Sequence, residues 1–504
     1  MKNKIIFLFL LFLGTSLSAN ILSIQMVPFY SHQVIHHKLL KELSLRGHNL
    51  TVFSTHLMNF NGLNVTQYVF PRPKEKELAK LKLFESKSKE ISKEEFYLIN
   101  LFGATFDATK KELEHTKIRE LMSMQSDTKF DLLIIECGFC SLIVLAEIYN
   151  CPIVNIYAAD PTNKAHELIG NYVNSGLHPE IYAELIGGEN LNFLKRLQSL
   201  VIENFNVKVL KTINIRISQF LLDLIYPNLK FPDLHEIMIN RLAILISGES
   251  IMTTKVRPTV PNYHQIGFIH VESPKKLKDE SLCKFLDKST NGVIVVSFGT
   301  IAVDFPGHFY ARFIEVFKEL PFNFIWKADL EKFKYLIFPE NILLLNWLPL
   351  ADILAHPNIK IIISQGGLRT IEEAIDREIP MILIPINFDQ PFNAVLQTKN
   401  KIAFNLDLNV FTKEDLKEAI MEMMKPQYKE NIKCVKSLVY DKISTRLDGV
   451  ADNIEQLIKH NETFHYQMYN RRLTSDHSEI MNDFFFMIGR FVTLFKTVFN
   501  FFLT

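Results

Sequence analysis

IIISQGGLRTIEEAIDREIPMILIPINFDQ, residues 361–390, is the stretch on which the reading of the chain turns. A buried apolar run ends at Ser364, a helix opens through Gln365-Gly366-Gly367, and a second apolar run follows at Met381 to Ile384. Strand, helix and strand at this spacing make a parallel β–α–β unit. The two glycines let a bulky anion approach the backbone, and the free N–H groups of a helix start favour negative charge. Such a junction can stabilise a diphosphate leaving group without a metal. Glycines at strand–helix junctions are common, so the junction alone leaves an ordinary turn open.

The same alternation extends outward on both sides. In the second half the apolar runs are Gly292 to Ser297, Phe322 to Trp326, Ile342 to Leu345 and Ile359 to Ile363. The first half opens with a strand at Ile21 to Val27, a helix at Gln33 to Arg46 closed by Gly47, and a strand at Leu50 to Ser54. A strand at Phe130 to Ile135, a helix to Tyr149 and a strand at Pro152 to Tyr157 continue it. The spacing predicts an α/β chain of two Rossmann-like doubly wound domains, with ligands in the cleft between their carboxyl edges. The first domain is expected over 19–272, closed by the proline-containing Arg257 to Asn262, and the second over 288–450. The charged stretch 273–287 reads as a linker, and 451–483 as helices and a polar stretch. Residues 73–125 and 165–225 read as helical insertions that shape a pocket.

Composition narrows the partners. With 56 basic against 55 acidic residues and no basic run, nucleic acid is excluded as the main partner. Five cysteines in 504 residues are not a disulfide scaffold, although a bridge among Cys137, Cys140 and Cys151 stays open. The first 18 residues read as a signal peptide: Lys2 and Lys4 precede the apolar run Ile5 to Leu13, with Ser16 and Ser18 at a small-residue cleavage site. A retained anchor is the alternative. Of the Asn-x-Ser/Thr sites at Asn49, Asn64 and Asn461, the last two suit a surface glycan better. Residues 484–504, FFFMIGRFVTLFKTVFNFFLT, are expected to meet a membrane, either spanning it or lying in its interface.

Four pieces of the second half stand in a recognisable order: VVSFGT (295–300), NWLPLADILAHP (346–357), Gln365-Gly366-Gly367 with Glu373, and Asp389-Gln390 after a proline-containing strand. Together they resemble the signature of the UDP-glucuronosyltransferase family and its relatives, two-domain glycosyltransferases of the GT-B type. The resemblance runs from residue 21 to the carboxyl terminus. It implies transfer of a hexose or hexuronic acid from a UDP-sugar to a hydroxyl of a small lipophilic acceptor, at an endoplasmic reticulum membrane with the catalytic domains in the lumen. The UDP-sugar is a co-substrate, and no cofactor or metal is implied. Trp347 would stack on the uracil and Glu373 would accept from the ribose hydroxyls. Gln365, Gly366, Gly367 and Thr370 would hold the diphosphate, with Ser297 and Thr300 nearby, and Asp389 and Gln390 would read the sugar hydroxyls. Two departures bear on donor affinity or choice: Gln365 stands where the family often has His, and Leu350 where it has Gln.

The catalytic end is read from Pro28-Phe29-Tyr30-Ser31-His32-Gln33, which follows the first strand without the glycines of a dinucleotide site. A histidine here can take a proton from an acceptor hydroxyl. From the residues alone a capping or surface histidine is the default reading. By resemblance Ser31-His32 matches the family's catalytic histidine, whereas His36 and His37 have no match. Glu136, which ends DLLIIE, corresponds to the acidic partner that is often Asp. Phe84, Phe96, Tyr97, Phe102 and Phe106 read by default as core packing, and beside a cleft would suit a lipophilic acceptor. Arg257 is a candidate partner for a donor carboxylate, with the phosphates or the hinge as its alternatives. Two rivals remain: a catalytically silent UDP-sugar binder, and a redox protein built on Cys137-Gly138-Phe139-Cys140. A homo-oligomer is compatible with the sequence.

Overall fold

A computed structural model of the chain describes residues 18–27, 29–70, 106, 109–123, 129–136, 140–179, 192–202, 208–250, 252–253, 257–299, 305, 307–330, 338–386, 389–440 and 443–460. The expected signal peptide up to residue 17, Cys137, Thr300, the stretch 461–504 with Asn461, and Phe84, Phe96, Tyr97 and Phe102 lie outside these residues.

Two sheets of parallel strands form the framework. The first holds β1 (Asn20–Gln25), β2 (Asn49–Ser54), β3 (Val65–Val69), β4 (Leu132–Glu136), β5 (Ile153–Tyr157), β6 (Leu242–Ser247) and β7 (Tyr263–Gln265), in the order β3-β2-β1-β4-β5-β6-β7. The second holds β8 (Val293–Ser297), β9 (Asn323–Lys327), β10 (Ile342–Leu345), β11 (Ile359–Ser364), β12 (Met381–Leu383) and β13 (Ala403–Asn405), in the order β10-β9-β8-β11-β12-β13. The central strands of each sheet are covered on both faces, so most of them read as apolar runs. In β4, Leu133 and Ile135 enter one core while Leu132 and Ile134 enter the core on the opposite face. In β8, Val293 and Val295 divide in the same way from Ile294 and Val296.

Strand order reverses between β1 and β4 in the first sheet and between β8 and β11 in the second. A crevice opens at such a reversal, because the connections leave toward opposite faces of the sheet. The helices after these strands place the site. Helix α1 (Tyr30–Leu45) follows β1, with Phe29 extended at its cap. It begins three residues before the expected Gln33, so Ser31 and His32 lie in its first turn. Gly47, at φ 98°, lets the chain turn back into β2.

The charged stretch 273–287 is only partly a linker. Its second half enters α2 (Glu280–Lys288), capped by Asp279, whose Leu282 and Leu286 join the core of the second domain. Further on, α3 (Leu368–Asp376) follows β11 and α4 (Gln390–Lys399) follows β12. The last described helix, α5 (Ile443–His460), crosses back to the first domain. Its Val450, Ala451, Ile454 and Leu457 pack into the core beneath β1 and β2, and Arg46 bonds Asp452 at 2.6 Å and Glu455 at 3.0 Å. Strands β3, β6, β7 and β13 go beyond the strands expected from the sequence. Arg241 passes from helix directly into β6 with no turn residue between them, which hides the boundary.

Candidate active site

Strand β1 leads into α1 and β4 ends at Glu136, so His32 and Glu136 meet at the switch point of the first sheet. The His32 Nδ1 lies 2.5 Å from Glu136 Oε1. Glu136 is almost wholly buried, whereas His32 is 32% exposed and faces the cleft. Bonding at Nδ1 leaves Nε2 as the nitrogen available to a substrate hydroxyl. The extra methylene of Glu, compared with Asp, does not prevent this contact.

The second switch point carries a different chemistry. Gly299, just beyond β8, has φ 79°, and a Cβ there would collide with the Gln365 amide. Gly366 has φ 84°, and its N–H bonds Ser364 Oγ at 3.2 Å. Gly367 caps α3, so the N–H groups of that helix open toward the cleft, which Gln365, Gly367, Thr370 and Ser297 also line. This is an anion cradle of backbone donors. On its flank Trp347 is 60% exposed, and the Lys327 ammonium sits 4.9 Å from its ring centre. Lys327 also donates to the Gly299 carbonyl at 2.6 Å, and burial holds its amine below the usual lysine range.

Asp389 and Gln390 open α4 on the far side of the cradle. Asn393 Nδ2 donates to Asp389 Oδ2 at 2.7 Å and to the Gly366 carbonyl at 3.0 Å, which ties this corner to the cradle. Gln390 Oε1 accepts from Ile386 N–H at 3.0 Å. Burial raises the Asp389 carboxyl, and the His32 ring acts on it across the cleft in the opposite sense. Glu373 lines the cleft one helical turn from Thr370, and burial pushes its carboxyl up to about 7.

A single cleft of about 1520 Å³ joins the two switch points. Pockets for one drug-sized ligand fall between about 300 and 1,000 Å³. The cleft therefore has room for two reactants. The first domain contributes the apolar Leu57, Ile143, Leu168, Leu234 and Met238 to its lining. The structure brings together His32, Glu136, Ser297, Trp347, Gln365, Gly367, Thr370, Glu373, Asp389 and Gln390 on this cleft. Gly366 lies buried behind it in the turn.

Two expectations are corrected. Arg257 is buried and does not line the cleft; it bonds Asp160 at 2.8 Å and Asn163 at 3.2 Å. Cys151 is a free, buried thiol, pushed up to about 12 by burial, and joins no bridge. The described Phe106 packs against the core, the default reading of the aromatics in the first half.

The residues that sequence reasoning missed lie on the seam between the domains. Arg369 of α3 donates to the carbonyls of Ala158 and Gly248, beyond β5 and β6, and to Glu372. Glu372 is fully buried, accepts the Phe268 N–H at 3.1 Å, and stands 3.5 Å from His270 Nδ1. No pattern in the sequence links His270 to Arg369 and Glu372, about a hundred residues further on.

A His–carboxylate pair facing a helix-start anion cradle across two parallel sheets defines the class of two-domain glycosyltransferases. The family profile described as UDP-glucoronosyl and UDP-glucosyl transferase matches residues 19–493, and the chain belongs to that family. It is thus a UDP-glycosyltransferase, with a UDP-sugar as co-substrate. It is similar to UDP-glycosyltransferase UGT4 of Dactylopius coccus, 29% identical over 90% of this chain and 89% of that one. It is also similar to the ecdysteroid UDP-glucosyltransferase of Lacanobia oleracea granulosis virus, 26% identical over 84% and 91%. Among solved structures, the kitacinnamycin glycotransferase shares the fold at 17% identity, with a TM-score of 0.58 over 88% of this chain and 99% of that one.

Proposed function

We propose that the chain transfers glucose from UDP-glucose to a hydroxyl of a small lipophilic acceptor, with inversion. The observation that carries this reading is the His32–Glu136 pair and the Gln365–Gly367 cradle sharing one cleft. In the proposed step His32 Nε2 takes the acceptor proton as the acceptor oxygen bonds the anomeric carbon. The bond from that carbon to UDP breaks with its electron pair leaving on the phosphate, and an α-linked donor becomes a β-glycoside. Glu136 stays ionised and supports the imidazolium. The α3 N–H groups meet the charge that develops on UDP, so the step needs no metal. Trp347 would hold the uracil, Glu373 the ribose, and Asp389 and Gln390 the sugar.

A neutral sugar is favoured because Arg257, the arginine considered for a donor carboxylate, is bonded to Asp160 and Asn163. The viral relative is likewise described as a glucosyltransferase. The apolar residues that the first domain contributes to the cleft support a lipophilic acceptor. Residues 1–18 and 484–504 support a membrane-bound enzyme of the endoplasmic reticulum lumen. Among the described residues no helix is long and apolar enough to cross a membrane, and that proposal rests on the terminal sequences alone.

A mass-spectrometric screen of UDP-glucose, UDP-glucuronate and UDP-N-acetylglucosamine against pooled lipophilic alcohols and phenols tests the reading. Transfer from UDP-glucose is expected, and His32→Ala should abolish it while UDP still binds. UDP binding without turnover on any acceptor would instead identify a silent binder. Retained turnover in His32→Ala would remove His32 as the base.

A further inference from the structure

Behind the His32–Glu136 pair lies a second histidine that the proposed reaction does not use. His32 and His36 are four residues apart on α1, so both point from the same face toward β4. His32 reaches one oxygen of Glu136; His36 Nε2 lies 3.7 Å from the other. Among the described residues Glu136 Oε2 has no hydrogen-bond partner, and neither ring nitrogen of His36 has one. His36 is wholly buried between helix and sheet. Two polar groups without other partners therefore face each other in a dry site, where an unmet polar group is costly.

We propose that His36 is a positioning residue: in its neutral form, with the proton on Nε2, it directs that N–H at the second oxygen of Glu136 and holds the carboxylate in line with His32. The inference rests on the assignment of His32 as general base. It also accounts for Glu rather than Asp at position 136, since the longer side chain spans the space between the two rings. Burial brings His36 down to about 4, so at neutral pH it is uncharged and has one N–H to donate. The charged groups that act on it are Glu136 from β4 and His32 from its own helix. The 3.7 Å separation exceeds a hydrogen bond, so the contact is electrostatic here and closes to a bond with a movement of less than about 1 Å. As His32 takes the acceptor proton, the carboxylate must remain an anion, and a dipole aimed at its free oxygen favours that state.

The test uses the full-length enzyme. His36→Phe keeps the ring volume and removes the donor; His36→Gln keeps a donor. His36→Phe is expected to lower kcat on the order of tenfold, a fraction of what general-base catalysis supplies. KM for UDP-sugar should stay unchanged and the acid limb of the kcat profile should move to higher pH, because a carboxylate without that donor attracts the imidazolium more strongly. His36→Gln should recover most of the loss. In wild-type protein labelled with 15N-histidine, His36 should show the neutral tautomer protonated at Nε2. The other tautomer, or a His36→Phe enzyme with wild-type kcat and pH profile, would overturn the proposal. Equal losses in both variants with an unshifted profile would also overturn it, leaving His36 a packing residue. The spectra read the tautomer even if no sugar is transferred, so a failure of the proposed reaction is told apart from a failure of this contact.

Discussion

Glu373 faces the cleft from α3 with its carboxyl pushed up to about 7, chiefly by burial; Arg369 and Arg377 oppose the shift, and Asp352 and Asp376 add to it. The free enzyme is therefore partly protonated there at neutral pH. In the proposed ribose contact the hydroxyls donate to the ionised form, so binding would expel that proton below pH 7. UDP affinity should rise about tenfold between pH 6 and pH 8 and level off above, as the linkage relation requires for one proton. Calorimetric titration of Glu373→Gln should show a flat profile, and a pH-independent wild type would rule Glu373 out of the ribose contact. At this scale much is legible in the sequence. His32 and Glu136 both sit just past or at the end of a strand, which puts them on one side of the sheet, and the family resemblance names them as a pair; the structure brings them together. The partners of single side chains are not legible: Arg257 carries nothing in the sequence to say that Asp160 takes its guanidinium.

The anion cradle is built at the carboxyl ends of β8 and β11, and it depends on backbone shape more than on side chains. Gly299 holds φ 79° directly against the Gln365 amide. A Cβ at 299 meets both a left-handed backbone, costing about 1–2 kcal/mol, and the amide that closes the cradle. Gly299→Ala should thus weaken UDP binding about tenfold or more by that energy, measured by titration calorimetry. Gly307→Ala, where an added Cβ touches nothing within 4 Å, is the control and should bind as wild type. Apolar runs bounded by glycine and proline announce most of the central strands, because a strand covered on both faces must be apolar throughout. Strand β3, VTQYV, lacks that mark because it lies at a sheet edge and is partly exposed.

The relation between the two domains is held by a small number of long-range contacts. Arg369 bonds two carbonyls of the first domain and the fully buried Glu372 of its own helix. Arg369→Ala should cost about 3–5 kcal/mol, because it takes the cation from a buried carboxyl and a donor from two carbonyls. Chemical denaturation should show a lower midpoint, partly restored in Arg369→Ala/Glu372→Gln; an unchanged midpoint in the single variant would discount the seam contact. Helix α5 adds a second tie, returning from the second domain to cover the core under β1 and β2. By itself the sequence determined the strand and helix alternation and the two-domain class, since periodicity and turn chemistry are local properties; the chemistry expected at the two switch points came from the resemblance to a family. Only tertiary structure decided that Arg369 spans the seam, that α5 packs on the domain it does not adjoin in sequence, and that His36 stands behind Glu136. Those contacts join residues many positions apart or on opposite sides of a sheet, and their energy depends on burial, which no local pattern records.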